Sequence, residues 1–125
     1  MNLMHNHQHI LYFLKNLSVL NNLIFFENIP QIFERINNSG KKSGLALTMA
    51  TNPDEVIELL KKAVYILLLT IPNPGSSGQK FDTDGLKRIK QINSLPFRKQ
   101  FVLCVDGGVN ENIVNMLEAE NIVSG

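Results

Sequence analysis

The chain alternates between short uninterrupted apolar runs and longer segments in which apolar residues recur every three or four positions. Uninterrupted runs are typical of strands covered on both faces, and the spaced pattern is typical of helices with one buried side. This alternation predicts an α/β fold with a parallel sheet and helices outside it. The predicted strands are Leu23–Phe26, Gly44–Leu47, Tyr65–Leu69, Phe101–Val105 and the beginning of another at Ile122–Val123.

Apolar stripes and capping residues predict the helices. Pro30 suits the first turn of one helix, and Gly40 suits the left-handed position after its end. Asn52, followed by Pro53 and by Glu55, is a strong helix start. The predicted stripes are, in chain order, Ile10, Phe13, Leu14 and Leu17; Ile29, Ile32, Phe33 and Ile36; Val56, Ile57, Leu60 and Ala63; Leu86, Ile89 and Ile92; and Ile113, Val114, Met116 and Leu117.

Composition excludes several classes of protein. A chain of 125 residues with 44% hydrophobic and 18% charged residues suits one globular domain. With a formal net charge of +1 and no basic face, it is not expected to bind nucleic acid. The longest apolar run, Ala63–Ile71, is too short to span a membrane, and the polar start shows no secretion signal, so we expect a cytoplasmic protein. Cys104, the single cysteine, is expected to be buried within its strand.

Asp106 is the first candidate for chemistry because it stands where a predicted strand leaves the core. Gly107 and Gly108 follow it and permit a sharp turn and a close approach to a ligand, and Asn110 is a suitable cap for the next helix. In parallel α/β folds, ligands bind at the carboxyl ends of the strands. From this pattern alone, Asp106 is either a functional carboxylate or the cap of a turn.

Two further segments have both a functional and an ordinary interpretation. The loop Thr70–Asp82 contains small residues ahead of a helix, a composition that suits a phosphate but also an ordinary flexible connection. His5, His7 and His9 alternate along the chain. They suit a metal site if the segment is extended, and otherwise a polar loop, which is the favoured interpretation.

The chain resembles the ribulose-phosphate 3-epimerase family. The stretches that carry the resemblance are Lys42–Leu47 (KSGLAL), Asn73–Gly75 with Gly78–Phe81 (NPG and GQKF), and Val105–Asn110 (VDGGVN). Members of the family are TIM barrels, so the resemblance implies that residues 1–125 form one partial (β/α)8-barrel domain of the ribulose-phosphate binding type. Met1–Met4 would end the third barrel strand and Val123–Gly125 would begin the eighth. The first two strands and the end of the last are then missing from the expected fold.

The resemblance also implies an activity. Family members are isomerases of the pentose phosphate pathway that interconvert D-ribulose 5-phosphate and D-xylulose 5-phosphate by moving the proton at C3. One aspartate removes the proton, a second returns one on the opposite face, and a divalent metal ion (zinc, iron, manganese or cobalt) stabilises the enediolate. The alternatives are a related hexulose-phosphate epimerase and a catalytically inactive, truncated homologue that binds phosphorylated sugars.

The matched positions suggest roles for individual residues. Asp106 matches the seventh-strand aspartate, which is both an acid/base and a metal ligand. Asn2 stands where the family has a metal-binding histidine and would be a weak ligand. Ser76 replaces an aromatic residue that is usual in the loop. The positions expected to contact the substrate or its phosphate are Met4, Gly75, Ser76, Ser77, Gly78, Gly107, Gly108, Ser124 and Gly125.

The other aspartate of the family lies on its second strand, which this chain lacks. An open set of parallel strands has unpaired edges. We therefore expect either a fragment of a longer product or assembly with a partner, which would be a second copy or a complementing chain.

Overall fold

The computed structural model describes residues 3–5, 9–14, 31, 33–40, 42–73 and 78–124. Within these ranges, six strands form one sheet in which strand order in space follows the chain. No helix in the same ranges is long and apolar enough to cross a membrane. The strands are β1 (Leu3–His5), β2 (His9–Leu14), β3 (Lys42–Leu47), β4 (Tyr65–Leu69), β5 (Val102–Val109) and β6 (Asn121–Ser124).

From β2 to β6 every neighbouring pair of strands is parallel. The predicted α/β class with a parallel sheet is therefore confirmed, and sequential parallel pairing is that of a partial TIM barrel. The predicted strands at Gly44–Leu47, Tyr65–Leu69, Phe101–Val105 and Ile122–Val123 correspond to β3 through β6. The predicted strand Leu23–Phe26 lies outside the described residues.

The amino-terminal segment differs from the prediction. Ile10, Phe13 and Leu14 lie in β2 rather than in a helix, and β2 pairs in parallel with β3. Residues 10–14 are all apolar, and a short apolar run does not distinguish a strand from a helix by periodicity. β1 is antiparallel to β2, with Met4 opposite Leu11, so it is not the parallel barrel strand expected at Met1–Met4. Because only residues 6–8 join the two strands, there is no room for the crossover that parallel pairing requires.

The helices begin and end near the capping residues predicted from the sequence. Residues 33–38 are helical, and Gly40 adopts the expected left-handed conformation with φ +84°. A 3₁₀ turn at Pro53–Val56 leads into α1 (Ile57–Leu60), and the Asn52 side chain accepts a hydrogen bond from Asp54 N. The two later helices are α2 (Asp84–Asn93) and α3 (Glu111–Val114), and Asn110 caps the second of these through Asn112 N at 2.9 Å.

The helix predicted through Met116 and Leu117 ends earlier than expected. α3 stops at Val114, and the next amides bond three residues back, Met116 N to Ile113 O and Leu117 N to Val114 O. Such tighter bonding changes the direction of the side chains. Leu117 still reaches the core with 8% of its surface exposed, whereas Met116 is 59% exposed and lies outside the predicted stripe.

The sheet buries different side chains on its two faces. The larger core lies on the face that the helices cover, and it includes Leu45, Ile66 and Leu103. The opposite face carries a small cluster of Ala46, Leu67, Leu69 and Cys104, with Tyr65 packed at its border. Because side chains alternate along a strand, Asp106 lies on the face of Cys104 and not on the face of the larger core.

A charged network holds the amino end of β5. Arg98 donates to Asn93 Oδ1 at 2.6 Å, to Phe101 O at 3.0 Å and to Glu120 Oε2 at 2.7 Å. The same carboxylate oxygen accepts from Leu103 N at 2.8 Å. Burial raises the pKa of Glu120, but the hydrogen bonds from Arg98 and Leu103 outweigh it and hold this pKa below its ordinary value. The network therefore connects the end of α2 with β5 and with the entry to β6.

At its carboxyl end, β5 continues through a bulge instead of the predicted turn. Its register against β6 shifts between Asp106 and Val109, and the two glycines there have φ values of +133° and +68°. A Cβ on Gly108 would lie 2.2 Å from Phe81 N and 2.6 Å from the Lys80 carbonyl carbon. The strand end therefore packs directly against the backbone of the loop that follows β4.

We expect Gly108→Ala to destabilise the protein by roughly 3 kcal/mol, because a methyl group would clash with the backbone at a positive φ. Gly40→Ala is the matched control, since Gly40 also has a positive φ but a methyl group there would meet nothing within 4 Å. In that variant the free energy of unfolding should fall by only about 1 kcal/mol, the cost of placing a non-glycine residue at a positive φ. Urea unfolding measures both, and equal losses in the two variants would contradict the packing argument.

Candidate functional site

The carboxyl ends of the parallel strands bring together residues that are distant in sequence. β4 ends at Leu69, which pairs with Asp106 of β5, and Asp106 in turn pairs with Val123 of β6. Asp106 is the one acidic residue within the described strands. The structure therefore places this predicted residue at the edge of the sheet where ligands bind in parallel α/β folds.

Asp106 is half-buried, and burial raises the pKa of its carboxyl group above the ordinary value. Within the described part of the chain, no side chain or amide donates a hydrogen bond to this carboxylate, so nothing there opposes the effect of burial. A carboxylate with a raised pKa is a stronger base than an exposed one. Within the described residues the carboxylate therefore caps no turn, and a raised pKa is a property that suits an acid/base group.

Thr70 fixes the backbone on which Asp106 stands. Its amide donates to Asp106 O at 2.9 Å, and its hydroxyl donates to Gly107 O at 2.8 Å. Its own carbonyl accepts from Asp82 N at 2.7 Å. From the sequence alone, Thr70 is only the first residue of the predicted loop. The one signal of its role in the sequence is that a polar residue directly follows a continuous apolar strand.

Two residues within the predicted phosphate loop Thr70–Asp82 also bond to each other. Gln79 Oε1 accepts from Asn73 N at 2.8 Å, and Gln79 Nε2 donates to Asn73 O. Gly78 has φ +78°, in the left-handed region that favours glycine. Gly75, Ser76 and Ser77 lie outside the described residues. A cavity of about 650 Å³ adjoins the loop, and it is lined by Pro72, Asn73, Gln79, Lys80, Phe81, Asp82 and Thr83.

A second polar group near Asp106 was not found by sequence reasoning. Tyr65, Cys104 and Asn121 lie on three adjacent strands, and the Tyr65 hydroxyl bonds to the other two side chains. Burial, followed by the Cys104 contact, raises the pKa of Tyr65 to about 12. Burial also raises the pKa of the Cys104 thiol, which is 4% exposed as expected for a structural cysteine. Cys104 and Asn121 lie opposite each other in the strand register, and Tyr65, which pairs with Val102, reaches them diagonally from β4.

The expected metal site is not complete in the described part of the chain. No group of three His, Cys, Asp or Glu side chains there can hold a metal ion. Asn2 and His7 lie outside the described residues, as does Gly125. Met4 and Ser124 are placed by backbone pairing only, in β1 and at the end of β6. Asp106 is therefore the one predicted ligand whose surroundings are defined, and by itself it does not make a metal site.

Asp106→Asn should raise the free energy of unfolding at neutral pH, because the buried charge is removed. With a raised pKa, the folded chain binds more protons than the unfolded chain above the ordinary value of 3.8. Stability should therefore fall as the pH rises from 3.8 through the folded pKa, and Asp106→Asn should remove that fall. Urea unfolding at several pH values measures this, with the exposed Asp84→Asn as control. An Asp106→Asn chain less stable than the original at pH 7 would refute the argument.

Tyr65 should ionise near pH 12, later than an ordinary tyrosine. An alkaline titration followed by the ultraviolet absorbance of tyrosinate should show this component, and Tyr65→Phe should abolish it. Tyr12→Phe is the control that should leave it in place. Since the neutral form is favoured in the folded state, stability should decline as pH rises from 10 towards 12. Ionisation of Tyr65 near pH 10 would contradict the expectation.

Comparisons with known proteins agree with the resemblance. The model of the ribulose-phosphate 3 epimerase family matches residues 9–125. The ribulose-phosphate 3-epimerase of Helicobacter pylori (strain J99) is 32% identical over 100 residues, which cover 76% of this chain and 46% of the relative. Those of Aquifex aeolicus and Bacillus subtilis are 31% and 33% identical over 87 residues, covering 68% and 67% of this chain.

The matches cover 39% of the Aquifex aeolicus protein and 40% of the Bacillus subtilis protein, so the chain spans less than half the length of the curated relatives it matches. The family match, in contrast, extends over nearly all of the chain and includes Asp106, both glycines after it and the loop that follows β4. The chain belongs to the ribulose-phosphate 3-epimerase family.

Proposed function

We propose that this chain contributes one half of the active site of an enzyme that interconverts D-ribulose 5-phosphate and D-xylulose 5-phosphate. Family membership supports the substrate class, and the position of Asp106 supports the reaction type. The single observation that carries the proposal is a half-buried carboxylate with a raised pKa at the carboxyl end of a parallel strand.

The proposed reaction begins with removal of the proton at C3 of the sugar phosphate. This carbon is adjacent to the C2 carbonyl, so the electron pair left behind is delocalised into an enediolate. An aspartate of ordinary pKa, 3.8, is a weak base for this step, and burial raises the pKa of Asp106 and makes it a better one. Asp106 takes the proton and can return it to the same face of C3.

Inversion at C3 needs a second proton donor on the opposite face. A single carboxylate returns the proton to the face from which it came and restores the original configuration. Asp106 is the one carboxylate on the described strands, so in this proposal the second acid comes from outside them. A second copy or a complementing chain would be its source.

Phosphate binding is proposed for the segments on either side of Asp106. Gly107 and Gly108 pack against the loop after β4, and Gly78 lies within that loop. Backbone amides at positive φ values suit anions because they converge without side chains in the way. The remaining proposed contacts are Met4, Gly75, Ser76, Ser77, Ser124 and Gly125.

A divalent metal belongs to this proposal only if ligands outside the described residues join Asp106. The described residues alone do not fit a metal, so no step is assigned to one. The inactive sugar-phosphate binder remains the second candidate, and the observation that favours it is the presence of one strand carboxylate where inversion needs two.

Proton exchange at C3 of ribulose 5-phosphate in heavy water, followed by NMR in the presence of Zn²⁺, tests the proposal. We expect exchange by the purified chain, and a loss of at least about 100-fold in Asp106→Asn, since a general base contributes on this order. Asp84→Asn, an exposed carboxylate near the same loop, should retain exchange.

Formation of xylulose 5-phosphate would show that a second acid is present, and exchange without it would show that Asp106 acts on one face only. Binding without exchange would support the inactive binder, and exchange only with a hexulose phosphate would support the related epimerase. Exchange that survives in Asp106→Asn would contradict the role given to Asp106.

A further inference from the structure

Thr70 is a buried polar residue with an unusual set of partners. It is 0% exposed, and its amide and hydroxyl bond to two successive carbonyl groups of β5, those of Asp106 and Gly107. The hydroxyl contact joins residues 37 positions apart. The hydroxyl of a buried threonine commonly finds its hydrogen-bond partner on the backbone a few residues away in sequence. Here both donors of one residue are directed at the end of a neighbouring strand.

The hydrogen bond from the Thr70 hydroxyl also fixes the orientation of the peptide between Gly107 and Gly108. Gly107 and Gly108 have positive φ values, and without side chains the peptide between them has more rotational freedom than other peptides of the strand. That peptide is planar and trans, so its carbonyl and the amide of Gly108 point in opposite directions. Holding Gly107 O towards Thr70 therefore directs Gly108 N–H away from it.

We propose that Thr70 is a positioning residue whose amide and hydroxyl hold the end of β5, so that the Asp106 carboxylate and the Gly108 amide keep fixed directions. Thr70 itself touches neither substrate nor proton. The geometric part of this inference stands alone. Its consequence for catalysis rests on the proposed function.

Three substitutions separate positioning from packing. Thr70→Val keeps the shape but removes the hydroxyl. Thr70→Ser keeps the hydroxyl but removes the methyl group that packs against Gly85. Thr48→Val is the matched control, because Thr48 is also buried, at 3% exposure, and follows a strand, but its hydroxyl oxygen accepts locally from Ala50 N at 3.2 Å.

The first measurement does not require activity. In ¹H–¹⁵N spectra of the full chain, Thr70→Val should shift the amide resonances of Gly107 and Gly108. Thr70→Ser should return them to the original positions, and Thr48→Val should leave them unchanged. Titration with inorganic phosphate should be weakened by Thr70→Val and restored by Thr70→Ser.

The second measurement is C3 exchange in heavy water. We expect Thr70→Val to lower its rate roughly 10- to 100-fold, the size of effect that a small misplacement of a catalytic group produces. Thr70→Ser should recover most of the rate. If the original chain shows no exchange, the proposed function fails, and the amide resonances and phosphate titration still decide the role of Thr70.

Several outcomes would overturn the inference. Unchanged Gly107 and Gly108 resonances in a folded Thr70→Val chain would do so, as would a serine variant that behaves like the valine variant. If Thr70→Val does not fold, the contact is tested in the original chain by solvent exchange. There the buried, hydrogen-bonded hydroxyl proton of Thr70 should be protected from exchange. Its absence from the protected resonances would refute the contact.

Discussion

The close contact between Gly108 and the backbone of Lys80 and Phe81 is the constraint on which the carboxyl end of the sheet depends. Backbone can approach backbone this closely only where there is no side chain, and Gly108 supplies that absence. Through this contact the loop after β4 packs against the end of β5. The hydrogen bonds from Thr70 to Asp106 O and Gly107 O then fix the position of the loop relative to the strand. Asp106 stands immediately before this contact, so its position follows from it.

Different kinds of interaction stabilise the two ends of β5. At the amino end, Arg98 and Glu120 connect the strand to its neighbours through charge-assisted hydrogen bonds, which depend on ionisation. At the carboxyl end, the contacts are between neutral backbone groups and a buried hydroxyl, so they do not titrate. Between them lies an apolar stretch with Leu103 and Val105 fully buried. The hydrogen bonds that hold the backbone of Asp106 and Gly107 therefore do not themselves depend on the charge of the Asp106 carboxylate.

The parts of the fold that sequence predicted well are those decided by local chemistry. Continuous apolar runs identified β4 and β5, and the caps Asn52 and Asn110 act as their side chains suggested. The prediction was wrong at residues 10–14, where periodicity cannot separate a strand from a helix, and at Met116, where the chain tightens after α3. The bulge at the end of β5 and the role of Thr70 depend on register between distant segments. No local pattern encodes that register, and so sequence reasoning found Asp106 but not what holds it.

Stereochemistry, more than base strength, limits what the described residues do alone. Burial, with no hydrogen-bond donor among the described residues, raises the pKa of Asp106 and so makes it more basic than an exposed aspartate, which is the property that the proposed proton abstraction requires. In the proposed reaction, however, Asp106 is fixed on one strand and would approach the sugar from one side only. The better this carboxylate is positioned for removing a proton, the more completely inversion depends on a second group placed across the substrate. The proposed epimerisation therefore depends on what faces Asp106 across the site.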